Sequence, residues 1–194
     1  VLFADSWRAK YQPAMERVRT GGRGFVRLDI LHMENLIEVL KDFDIKSVTE
    51  TELNYLNRAW HRLLPWSDSV PGLLRLKKKF IIGTMSNGNV ALMVNMAKNG
   101  GLPWDVILGA EPAQAYKPEP KTYLTGVDWL NLKPSEVLMC AAHNADLVAA
   151  GAQGLRQPLL PGQQNMVQIK NTILRRSTIS IIYRKTCLTW QINS

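Results

Sequence analysis

The sequence predicts an α/β protein in which a parallel sheet flanked by helices follows an all-helical unit. Two observations carry this. Three short apolar runs, Phe80-Ile81-Ile82-Gly83, Val106-Ile107-Leu108-Gly109 and Val137-Leu138-Met139-Cys140, each stop at small or polar residues and lead into a helical pattern. Strands alternating with helices read as βαβ units. Before Pro65, by contrast, apolar residues recur at helical spacing and nothing alternates with period two.

In chain order, Leu2, Phe3, Trp7, Tyr11, Met15 and Val18 form one apolar helical face, and Thr20-Gly21-Gly22 breaks it. A second stripe runs through Ile30, Met33, Leu36, Ile37 and Leu40. A third takes Leu53, Leu56, Trp60 and Leu63, with Thr49 or Thr51 as N-cap. Pro65 and Pro71 mark the change of pattern. Helices are expected over 90–98, 120–130 and 145–153. The organisation expected is a helical unit over 1–66, an α/β unit over 67–156 and a divergent tail over 157–194, in which Ile179 to Ile182 has strand propensity.

Composition narrows the class. Of 194 residues, 46% are hydrophobic and 21% charged, an ordinary globular balance that excludes disordered and collagen-like chains. No window approaches the ~18 apolar residues of a membrane span. Val1-Leu2-Phe3-Ala4-Asp5 does not read as a secretory signal. Cys140 and Cys187 make neither a disulfide framework nor a Cys-x-x-Cys metal site. A soluble cytoplasmic protein is expected, without membrane or nucleic-acid partners. The net charge of +8 does not argue otherwise, because Lys170, Arg175, Arg176, Arg184 and Lys185 put +5 of it in the acid-free tail. Residues 1–156 are nearly balanced, so no broad phosphate-binding face is required.

In open α/β sheets ligands sit beyond the carboxyl ends of the strands. The segments of interest are therefore 84–89, 110–117 and 141–146. Thr84-Met85-Ser86-Asn87-Gly88-Asn89 offers a hydroxyl, an amide and a tight turn able to hold a carboxylate; alone it also reads as a plain Asn-Gly turn. Lys117, fixed by Pro118 with Tyr123 six residues on, places an ammonium at the sheet's lip, or is simply a solvated lysine. His143 and Asp146 in Ala141-Ala142-His143-Asn144-Ala145-Asp146 could orient water or hold a cation, and Asp146 could equally be a first-turn acid. His32 and His61 lie in helical stretches without evident partners and read as structural. Ser86 has no Gly-x-Ser-x-Gly elbow, Cys140 reads as packing, and no phosphate loop or dinucleotide fingerprint occurs.

Together, in this order, the three strand-end segments resemble the haloacid dehalogenase superfamily. Ser86-Asn87-Gly88-Asn89, Tyr116-Lys117-Pro118-Glu119 with Tyr123, and Ala141-Ala142-His143-Asn144 with Asp146 are similar to type II (L-2-)haloacid dehalogenases. Trp7-Arg8 through Met15 resembles that group's first cap helix, and Leu56 to Leu63 resembles the cap's exit. The resemblance covers about residues 2–156. It implies a Rossmann-like parallel-sheet core with a helical cap over 1–66. It also implies a hydrolase acting on the carbon–halide bond of short 2-haloalkanoic acids, with no cofactor and no metal.

In such enzymes an aspartate attacks the halogen-bearing carbon, and water hydrolyses the ester. By resemblance, Arg8 receives the substrate carboxylate or the halide, and Ser86 and Asn87 bind the substrate carboxylate. Lys117 keeps the nucleophilic carboxylate ionised beside Tyr123. His143 and Asp146 position the water and the lysine, and some relatives carry Asn where this chain has His143. Two departures stand out. The Asp-x-x-Gly-Thr-like nucleophile segment is not in these 194 residues, since Asp5 lies on one amphipathic helix and Asp29 opens another. The tail lacks the group's closing motifs. Read from the third base of its codons, Met166-Val167 gives the glycine and Trp190-Gln191 the alanine of those motifs, which points to a frameshift near residue 157. The expectation is therefore a chain inactive by itself. An inactive remnant, or a metal-dependent phosphatase of the same superfamily, are the alternatives. A homodimer is left open.

Overall fold

The computed structural model describes residues 2–157 and the backbone of Ile181–Ile182. The long first stripe is two helices rather than one, α1 (Leu2–Ala9) and α2 (Tyr11–Arg19), with the chain turning at Lys10. Pro13 supplies the reason: it has no N–H for the carbonyl of Ala9, and its ring would clash there in a continuous helix. Gly21, at φ 78°, ends the pair where expected.

Next come α3 (Leu28–Asp42) and α4 (Glu50–Asn57). Thr49 caps α4 through a reciprocal pair with Glu52, so Thr49 rather than Thr51 is the cap. The third stripe then tightens into a 3-10 turn, Arg58–Arg62. Sequence reading gives no helix over 69–77, yet α5 (Ser69–Lys77) is there. Pro71 falls in its first turn, where a missing N–H costs nothing.

The first strand is displaced from its apolar run. β1 is Gly83–Ser86, because Ile82 spends its own N–H on the Asp105 carboxylate, at 2.9 Å, and its carbonyl on the Asp105 amide, at 2.8 Å. Hence Thr84, Met85 and Ser86 lie within the strand, not beyond it. α6 (Val90–Gly100) and β2 (Val106–Gly109) follow as expected, and β2 pairs with β1 in parallel, Gly83 opposite Val106 through Ser86 opposite Gly109. After β2 come a short helix, α7 (Ala110–Ala113), then α8 (Pro120–Trp129) and α9 (Asn144–Ala152).

The third run, 137–140, is extended, and among the described residues it forms an isolated parallel bridge, Leu138 to Arg156, with Met139 N–H donating to the Arg156 carbonyl at 2.8 Å. β3 (Ile181–Ile182) instead lies antiparallel on β1. The rest of the tail, with the frameshift reading and Cys187, lies outside the described residues.

Apolar contacts hold the pieces together. Met85, Leu108, Tyr123, Val127, Val137 and Met139 form the cluster beneath the sheet. Trp7, Leu36, Val39 and Leu40 form one within the helical unit. A third cluster joins the two regions: Ala14, Met15, Leu28 and Leu31 pack on Ala110 and Tyr116. The Tyr116 hydroxyl adds a bond to the Val26 carbonyl at 2.7 Å. Cys140 is packing, as expected, against the cluster of Leu73, Ile82 and Leu102.

Candidate active site

Three strand-end segments meet at one cavity of about 550 Å³. Ser86 ends β1, and the turn after it is self-braced, with the Gly88 N–H on Ser86 Oγ at 3.0 Å. The Asn87 side chain reaches across to accept the Lys117 backbone N–H at 2.8 Å, tying the first segment to the second. Arg19, from α2, donates to the Lys117 carbonyl at 3.1 Å. The lysine backbone is thus held at both its N–H and its carbonyl.

Its ammonium is directed at Asp146. Lys117 Nζ lies 2.5 Å from Asp146 Oδ2, and the Tyr123 hydroxyl donates to Asp146 Oδ1 at 2.6 Å. The two ends of the ion pair are only 8% and 9% exposed. Burial pushes the Lys117 ammonium below the usual lysine range, against the opposing pull of Asp146. Burial and the carboxylate together push the Tyr123 phenol up, so it stays a donor.

All seven residues expected from sequence border this cavity: Arg8, Ser86, Asn87, Lys117, Tyr123, His143 and Asp146. They are not equivalent. Lys117, Tyr123 and Asp146 form one bonded unit, and Asn87 joins it through the Lys117 backbone. Arg8 faces the cavity from α1 as an exposed side chain, and His143 is an exposed residue at the start of α9.

Sequence reading misses the opposite wall. Leu28, His32, Trp60, Leu63, Met93 and Met96 make it largely apolar. His32 packs into this wall, in keeping with its structural reading: its ring stacks on Trp60 at 4.9 Å, and the Trp7 indole donates to its backbone carbonyl at 2.9 Å. Tyr11 and Gln12 also line the site. On the single helix that the sequence predicts they lie three and four residues after Arg8, on its face; in the structure they come from α2, across the turn at Lys10. Tyr11, however, reads equally well as a core residue of the same stripe. Its phenol is pushed up by burial and partly relieved by Asn87.

His61 also departs from the expectation of a partnerless histidine. Its Nε2 is 3.1 Å from Asp29 Oδ1, and its Nδ1 meets the Asn95 amide at 2.9 Å.

His32 gives a pH prediction. Burial pushes its imidazole down to about 4 from 6.5. Below pH 6.5 the unfolded chain then binds a proton that the folded chain refuses, so stability must fall as the pH falls toward 4. The contribution lost should approach about 3 kcal/mol. Urea unfolding at pH 7 and pH 4.5 should show this acid loss in the parent and a smaller one in His32→Phe. Equal losses in both would dismiss His32 as the origin.

A family model described as a haloacid dehalogenase-like hydrolase matches residues 3–151. (S)-2-haloacid dehalogenase 1 of Pseudomonas sp. strain CBS-3 is 32% identical over 127 residues, which are 64% of this chain and 56% of that protein. The crystal structure of a defluorinating L-2-haloacid dehalogenase has 53% identity and a TM-score of 0.79, covering 81% of this chain and 65% of its own. A second L-2-haloacid dehalogenase structure has 43% identity and a TM-score of 0.76, covering 82% and 73%. The chain spans little more than half the length of the curated relatives it matches. With a parallel β1–β2 pair, a lysine–aspartate unit at the strand ends and a family match over most of its residues, the chain belongs to the haloacid dehalogenase-like hydrolase family.

Proposed function

We propose that this cavity holds a short 2-haloalkanoic acid and that the protein's reaction is hydrolysis of its carbon–halogen bond. The observation that carries the reading is the bonded unit of Lys117, Tyr123 and Asp146, set beside the hydroxyl and amide of Ser86 and Asn87 and facing Arg8. Cations and neutral donors converge on a space with an apolar far wall, which suits an anion carrying a small alkyl group. The names of the relatives supply the halogen.

The reaction balances without a redox partner. A carboxylate oxygen attacks C2, the halide departs with the C–X electron pair, and C2 inverts. Water adds to the carbonyl carbon of the new ester, releasing the 2-hydroxy acid and a proton and regenerating the carboxylate. In this reading Lys117 holds the attacking carboxylate ionised, Arg8 meets the substrate carboxylate or halide, and His143 and Asp146 place the water. The nucleophile is none of the described residues. Among those residues Asp146 is the carboxylate bordering the cavity, and hydrogen bonds occupy both of its oxygens. The proposal includes a cap of residues 1–66 over a core of residues 67–156, because the cavity draws its walls from both.

Purified residues 1–194 should therefore bind (S)-2-chloropropionate, followed by quenching of tryptophan emission, and release no chloride. Arg8→Lys should weaken binding about tenfold, since a point ammonium cannot reproduce a two-pronged guanidinium contact. Steady chloride release by the parent would place the nucleophile within this chain. Absence of binding would remove the carboxylate-site reading.

A further inference from the structure

Asp29 belongs to none of the cavity walls, yet three of them meet at it. It is the second residue of α3, between Leu28 and His32, which both border the cavity. Its Oδ1 pairs with His61 Nε2 at 3.1 Å, and His61 adjoins Trp60 of the apolar wall. Its Oδ2 accepts from Asn89 Nδ2 at 2.9 Å, while its own backbone N–H donates to Asn89 Oδ1 at 3.2 Å. Asn89 closes the turn that begins at Ser86. The Asp29 carbonyl is used too, by Asn57 Nδ2 at 3.0 Å.

The hydrogen bonds on the Asp29 carboxylate have a defined direction. Asn95 donates to His61 Nδ1 at 2.9 Å, so the imidazole carries its hydrogen on Nε2 and gives it to Asp29. Asn89 is 2% exposed, Asn57 8% and His61 6%, so water cannot easily replace a missing partner. The Ser86–Asn89 turn is thereby held from two sides. Lys117 grips it through Asn87, and Asp29 grips it through Asn89.

We propose that Asp29 is a positioning residue for the binding site: its carboxylate locks the Ser86–Asn89 turn, α3 and the Trp60–His61 segment into the spacing that receives the substrate's carboxylate. The inference rests on the reading of the cavity as a 2-haloacid site. A carboxylate is required because it must accept from both Asn89 and His61. An amide has one oxygen, so it would turn its NH₂ toward one of those two donors. Ser86 and Asn87 would then sit displaced by a few tenths of an ångström, enough to matter for a contact that depends on donor direction.

The test uses residues 1–194 with (S)-2-chloropropionate as probe. Asp29→Asn should raise the dissociation constant about tenfold. It should also speed amide exchange at Gly88 and Val90 while leaving the amides of α8 unchanged. Combining Asp29→Asn with Asn89→Asp should bring binding back to within threefold of the parent. In that pair the amide at position 29 donates to the carboxylate at position 89 and still accepts from His61. Asn99→Ala serves as the control. Asn99 bonds the Arg62 carbonyl from the far end of α6, at 3.1 Å, and its loss should not move the constant. Binding by Asp29→Asn within twofold of the parent would overturn the inference, and so would a double variant no better than the single one. Faster exchange throughout the sheet would reduce Asp29 to a stability role. If the parent itself did not bind the acid, the substrate reading would fall, and exchange at Gly88 and Val90 would still decide whether Asp29 holds the turn.

Discussion

Lys117→Met should destabilise the protein by about 3–5 kcal/mol, because it leaves the Asp146 carboxylate buried without its countercharge. The methionine fills much of the same space, so the loss is electrostatic rather than a cavity. Asp146 keeps the Tyr123 hydroxyl, at 2.6 Å, and one neutral donor does not replace an ammonium at 2.5 Å. A protein of this size has only about 5–15 kcal/mol of net stability, so the variant should be close to unfolding at neutral pH. Combining Lys117→Met with Asp146→Leu should recover most of the loss, as replacing both members of a buried pair often does. Urea melts followed by circular dichroism measure all of this. A single variant within 1 kcal/mol of the parent at pH 8 would show that the pair is solvated well enough to contribute little.

The second large effect is steric. Gly109 closes β2 with φ at 136°, opposite Ser86. A Cβ there would lie 2.0 Å from the Ser86 carbonyl oxygen and 2.6 Å from its nitrogen. Both obstacles are backbone, so no rotamer change relieves them. Gly109→Ala should cost about 4 kcal/mol, combining the strained φ with forced separation of β1 from β2. It should also abolish acid binding, because the atoms pushed aside belong to Ser86 itself. Gly101→Ala is the comparison. Gly101 also has a positive φ, at 67°, but the nearest atom to its Cβ would be Val70 Cγ2 at 4.0 Å. Only about 1 kcal/mol of conformational strain should appear there. Similar losses at the two positions would show that β1 and β2 can separate without harm.

Much of the architecture was legible in the residues because its causes are local. The boundaries of α6, β2, α8 and α9 follow from apolar spacing and small or polar ends, properties a few neighbouring residues decide. The strand-end segments were legible for the same reason, since a parallel α/β sheet places whatever follows its strands on one edge. Where the reading slipped, a distant partner had intervened. β1 begins three residues late because Asp105, more than twenty positions away, takes the backbone groups of Ile82. The run at 137–140 has the composition of a strand, and among the described residues it meets Arg156 through an isolated parallel bridge at Leu138.

From the sequence alone came the fold class, the three chemistry-bearing turns and the family to which they point. Each rests on residue type and short-range spacing. Only the tertiary structure decided that Lys117 and Tyr123 share the two oxygens of Asp146, that His32 and Trp60 form the facing wall, and that Asp29 ties three walls together. Those contacts join residues from about twenty to sixty positions apart. Side-chain direction, not spacing along the chain, selects such partners: a hydrogen bond weakens steeply once its donor turns away, and nothing in the local pattern around His61 or Asp29 states where either side chain will point.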